Sequence, residues 1–99
     1  YNKIVLNIKK LIWDSWNIAH IARHGVVPDE VEIVCHNDPL VQEGKKGRLL
    51  VIGLTNSERL LAVILDAEEE EGIYYPVTAR TASKRERKIY VTEKGGETE

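Results

Sequence analysis

Arg80 stands at the end of an apolar run, residues 73–79, and a segment carrying Lys84, Arg85, Arg87 and Lys88 follows at once. Clustered arginine and lysine neutralise phosphate oxygens, arginine through a permanently charged fork of donors. Between residues 79 and 94 six cations face two carboxylates, Glu86 and Glu93, a local balance of +4 in a chain whose net charge is -2. Such a patch is where a polyanion would be met. The plainer reading of the same run is a solvated face.

Further residues could contribute chemistry. Arg48 opens an apolar run beside Lys45 and Lys46, and Arg59 follows the turn Asn56, Ser57, Glu58. The alternative for Arg48 is ordinary solvated charge, and for Arg59 pairing across the hairpin with a carboxylate. His20 and His24 share a helical face, as a pair of metal ligands would. The intervening Ile21, Ala22 and Arg23 lack the glutamate of a zinc protease, and a third ligand would have to be His36 or a distant carboxylate. No metal or other cofactor is therefore expected. His24 also suits a helix C-terminus, where a cation is favoured. Glu86 and Tyr90, one turn apart, share a face with Ala82 and Ile89, whereas Lys84, Arg87 and Lys88 point elsewhere. Glu86 is expected to orient Arg80, with a purely structural salt bridge as the alternative. Trp13 and Trp16 read as core or rim packing in preference to a platform for bases. The single cysteine, Cys35, reads as core and not as a nucleophile.

These residues need a scaffold, and the pattern predicts an α+β domain. Ile4, Leu6 and Ile8 fall on one face of a first strand over 4–12. Asp14 is a good N-cap, Ile18, Ile21 and Ala22 recur at helical spacing, and Gly25 supplies the stop. A second helix starts with Pro28, carries Asp29, Glu30 and Glu32 near its positive end, and buries Val31, Val34 and Cys35. Asn37, Asp38 and Pro39 end it. Candidate strands follow at 40–42, 48–55, 60–66 and 73–79, joined by connectors short enough for antiparallel hairpins. Pro76 inside the last of them argues for an edge position or a bulge. A C-terminal helix completes the order, and helices are expected to cover one face of the sheet.

The 99 residues suit one domain, taken as 1–93, with 94–99 as a disordered tail. No apolar run approaches the roughly 20 residues needed to cross a bilayer. Nothing reads as a signal peptide, and a reducing cytoplasm is the expected location.

Trp13, Asp14 and Asn17, then Arg23, His24, Gly25 and Val26, then Arg48, Gly53, Arg59, Leu60 and Leu61, and finally Thr78, Ala79, Arg80, Thr81, Ala82, Glu86, Arg87 and Tyr90 form an ordered set from residue 13 to residue 90. In order and spacing this set resembles the BrnT family of type II toxins, small ribonucleases with a fold akin to the RelE toxins. The resemblance implies a bacterial toxin, a metal-independent endoribonuclease held inactive by a cognate ribbon-helix-helix antitoxin, the pair repressing its own operon. RNA would be the substrate, DNA would be met only through the antitoxin, and no membrane would be involved.

Cutting RNA requires deprotonation of the 2′-hydroxyl, neutralisation of charge on the phosphorane and protonation of the 5′-oxygen. On the resemblance Arg80, Arg48 and Arg59 would contact the scissile phosphate and His24 or Glu86 would handle protons. Arg23, Arg59, Lys84, Arg87, Lys88 and Tyr90 would bind RNA. Tyr75 and Leu54 depart from the family pattern, standing where relatives place basic residues. The alternative is a catalytically inactive, toxin-like module acting only through protein contacts.

Overall fold

Leu60, Leu61, Ala62, Val63, Ile64 and Leu65 are six consecutive apolar residues, so this strand has no polar face to give to water. In the computed structural model, which describes residues 6–95, the strand is central, and Leu60 to Val63 and Leu65 are buried while Ile64 is half-buried. The elements are β1 (Lys10–Leu11), α1 (Ser15–Ala22), α2 (Pro28–His36), β2 (Leu40–Glu43), β3 (Leu49–Leu54), β4 (Leu60–Ala67), β5 (Ile73–Thr81) and α3 (Lys84–Tyr90). The five strands form one sheet in the order β1-β5-β4-β3-β2. Neighbours are antiparallel except β1, which runs parallel to β5. The class is α+β, with a mixed sheet. Among the described residues no helix is long and apolar enough to cross a membrane.

Alternation along the strands divides the interior in two. Val51, Leu61, Val63, Leu65 and Ala79 meet Ile21 of α1 and Val31, Val34 and Cys35 of α2 in the larger core. Ile52, Leu60, Leu40 and Ala82 form a smaller core, against which Ile89 and Tyr90 of α3 pack. α1 and α2 cover one face, as the pattern predicts, and the short α3 adds cover over one end of the other, where Ile52 and Leu60 are apolar as well.

The first strand is shorter than the expected 4–12. Only Lys10 and Leu11 pair, with Ile73 and Tyr74. β5 begins at Ile73, so residues before Lys10 have no strand alongside them, although Leu6 and Ile8 still pack against the larger core. Ile4 lies outside the described residues. Pro76 sits at a bulge: Ile64 faces Thr78 and Leu65 faces Pro76, which leaves Val77 unmatched. The chain continues beyond α3 as a wide turn, Val91–Gly95, in which Lys94 Nζ lies 3.1 Å from Asp38 Oδ2. Of the expected tail, residues 96–99 lie outside the described ones.

Two local devices position α1. Asp14 and Asn17 cap its start reciprocally, each side chain accepting from the other's backbone N–H at 2.9 Å. Asn17 is fully buried, and its amide nitrogen donates to the carbonyls of Ile12 (2.9 Å) and Pro76 (3.1 Å). At the other end Gly25 takes φ +73°, the left-handed conformation that glycine enters without strain.

Candidate nucleic-acid interface

The C-terminal end of β5 and the start of α3 are clamped together. Arg80 donates from Nη1 to Glu86 Oε1 at 2.6 Å and from Nη2 to Glu86 Oε2 at 2.8 Å. Ser83 caps α3 by accepting from Glu86 N–H at 3.1 Å, and Ser83 N–H returns a bond to Glu86 Oε1 at 2.8 Å. The Arg80 fork, aided by the Ser83 contacts, holds the Glu86 carboxyl down at about 2, and the hydrogen bonds to Glu86 raise Arg80 above its ordinary value. A carboxylate so strongly held is a poor proton acceptor near neutrality. Glu86 therefore positions Arg80, as the sequence suggests, and is unsuited to the alternative role of moving protons.

α3 displays its charge outward. Lys84, Arg85, Arg87 and Lys88 are all exposed, and no ion pair joins any of them to another described residue. Tyr90 is half-buried against the smaller core, which makes it an anchor for the helix and not a free contact for RNA.

Arg59 is spoken for. Its Nη1 donates to Gly25 O at 2.8 Å, and its Nη2 donates to His24 O and Thr81 Oγ1, both at 3.2 Å. Glu30 Oε2 lies 3.5 Å from Nη1. Its carboxylate partner thus comes from α2 and not from across the hairpin. The side chain ties the end of α1 to the end of β5, leaving no terminal nitrogen free for a phosphate.

Arg48 does not join Arg80. Ala62 faces Arg80 and Leu65 faces Leu49, so Arg48 stands beside Asp66, four residues along β4 from Ala62 and about 13 Å away along the strand. Its Nε lies 3.6 Å from Asp66 Oδ2 in an exposed pair. A shared grip of Arg48 and Arg80 on one phosphate, as the resemblance implies, is not present in this arrangement.

His24 lies just past the end of α1, exposed, beside the Arg59 bridge. Its ring meets His20 edge-on with centroids 5.8 Å apart, and His20 stacks on Trp16 at 4.9 Å with the planes 9° apart. Trp16 is 57% exposed, contrary to its reading as core or rim packing. Trp13 is the packed one, against the larger core, donating from Nε1 to Glu32 Oε2 at 2.9 Å. Arg23 is exposed on the same side of α1 as Trp16. The signal for this surface was present in the spacing of Trp16, His20 and His24, one helical turn apart each time.

Among the described residues no three His, Cys, Asp or Glu side chains gather as a metal site would require. Cys35 is buried, and burial, aided by the charge of Glu32, pushes its thiol up to about 12. It has no thiolate with which to attack a substrate near neutrality. No family model matches the chain, and no curated protein matches it.

Proposed function

We propose that the protein is an RNA-directed toxin of the BrnT and RelE-like kind, neutralised by a ribbon-helix-helix antitoxin. The carrying observation is α3: four exposed cations without ion-pair partners among the described residues, next to Arg80, on a chain that is acidic overall. Unpaired cations in a row give sequence-independent, salt-sensitive attraction to a phosphate backbone. The α+β architecture and the order of residues from Trp13 to Tyr90 support the resemblance. Metal-independent cleavage would use Arg80 against phosphate charge and His24 as the proton-handling group.

A second reading, an inert toxin-like module that binds a partner, draws on a specific observation. Both terminal nitrogens of Arg80 already serve Glu86, and Arg48 stands apart. An acidic antitoxin segment would suit the exposed cations of α3 as well as RNA does.

One experiment separates the two. Purified protein is incubated with a long RNA in EDTA, alongside Arg80→Ala, and binding to the same RNA is followed by anisotropy at low and high salt. Cleavage lost in Arg80→Ala supports the toxin. Salt-sensitive binding without cleavage supports an RNA-binding relative that has lost its chemistry, and no binding at low salt leaves the inert module.

A further inference from the structure

The outer face of α1 carries an aromatic ladder that packing does not explain. Side chains that serve the core are covered, yet Trp16, the largest side chain on α1, is 57% exposed and stacked flat on His20, which meets His24. Together with Ser15, Ala19 and Arg23, Trp16 and His20 form an open strip along one face of α1.

Charge identifies the occupant. None of the residues of this strip is acidic, while Arg23 and His20 belong to it; the carboxylates of Asp14 and Glu30 flank its two ends. Asp14 itself is engaged at the far end, accepting from Tyr75 Oη at 3.1 and 3.0 Å. A flat aromatic surface bordered by Arg23, with no acid among its own residues, suits a ligand that is both aromatic and anionic. A duplex hides its base faces, whereas a single strand can splay a base onto an indole and set the adjoining phosphate near a guanidinium.

The ladder also leads to the basic patch. It spans eight residues of chain, about 12 Å at helical rise. At its upper end the His24 carbonyl accepts from Arg59, which reaches across to Thr81, the residue after Arg80. Arg80 and α3 lie on the opposite face of the sheet from α1, so a strand lying along α1 would reach them by turning round the end of β5 at Thr81.

Resting on the RNA reading above, we infer that Trp16 and His20 form a base-stacking subsite for single-stranded RNA, with Arg23 meeting the adjacent phosphate. The subsite lies outside the basic patch and adds preference for unpaired strands to a surface that otherwise senses only charge.

The test uses Trp13→Phe, in which Trp16 is the remaining tryptophan, and a mixed-sequence single-stranded 12-mer RNA at low salt. Binding should quench Trp16 emission, whereas an RNA duplex and inorganic polyphosphate should bind without quenching it. In an otherwise wild-type chain, Trp16→Ala and His20→Ala should each weaken single-strand binding by about tenfold, leaving duplex binding unchanged. Both side chains project from the helix surface, and a melting temperature equal to that of wild type confirms the fold. Wild-type affinity for the single strand in Trp16→Ala, with no quenching in Trp13→Phe, overturns the subsite while leaving α3 as the RNA surface, and would assign the ladder to a protein partner. No binding of any RNA by wild type overturns the function proposed above together with the subsite.

Discussion

Arg80 and Glu86 meet fork to fork, 2.6 and 2.8 Å apart, across the junction between the last strand and the last helix. Glu86 is largely covered and Arg80 half-exposed, so water screens the pair without dissolving it. The Glu86 carboxyl is lowered from 4.5 to about 2, so its stabilisation is fully present above pH 4.5 and is lost as pH falls toward 2. Glu86→Gln should cost about 1 kcal/mol at pH 7. The difference from wild type should shrink markedly by pH 3, as read by urea unfolding at the two pH values. An equal difference at both would show that the pair does not couple to protonation.

Arg59→Ala should destabilise the fold by about 2 kcal/mol, because the carbonyls of His24 and Gly25 lose their donor and Glu30 its nearest cation. Arg59→Lys should recover little, since an ammonium cannot reproduce the fork. Thermal unfolding measures this. An Arg59→Ala variant with unchanged stability but weakened RNA affinity would return Arg59 to the binding surface.

Replacing Lys84, Arg87 and Lys88 together by Ala should flatten the dependence of log K on log salt by about 2 for single-stranded RNA. Stability should change little, because none of the three packs into a core. Anisotropy titrations across a salt series read the slope. An unchanged slope would place the phosphate contacts elsewhere.

Asn17→Ala should cost about 2–3 kcal/mol, since it removes a capping partner and leaves the Pro76 carbonyl without its donor at a buried site. Urea unfolding gives the value. A loss under 0.5 kcal/mol would mean that water replaces the amide there.

A disulfide-exchange reagent at pH 8 should leave Cys35 unmodified in the folded protein and react fully in urea, because the thiol is buried and held near 12. Rapid modification without denaturant would show that α2 lifts from the sheet.

The boundaries of α1 and α2 were readable because Asp14, Gly25 and Pro28 act through local chemistry that needs no tertiary information. β3, β4 and β5 were readable from apolar runs bounded by turns, and Pro76 announced its bulge. The pairing of Arg80 with Glu86 was also within reach, since six residues spanning a strand end and a helix start leave few other arrangements. The first strand was over-extended because alternation at Leu6 and Ile8 reports burial, and burial was achieved there without a neighbouring strand. Arg59 was misread because its partners, Gly25, His24 and Glu30, are about thirty residues away in sequence. The separation of Arg48 from Arg80 depends on strand register, which spacing alone does not fix.

α3 covers only one end of the second face of the sheet, and Leu50, Ile64 and Thr78, which lie side by side across β3, β4 and β5, stay half-exposed there. On the RNA reading proposed above, recognition would draw on the outer surfaces of two short helices and on the corner where Arg59 and Arg80 join them. The exposed residues of the two helices support little of the interior, so they can be exchanged at small cost to folding, whereas Arg59 and the Arg80–Glu86 pair cannot. Specificity can therefore drift quickly in such a chain while its framework stays the same.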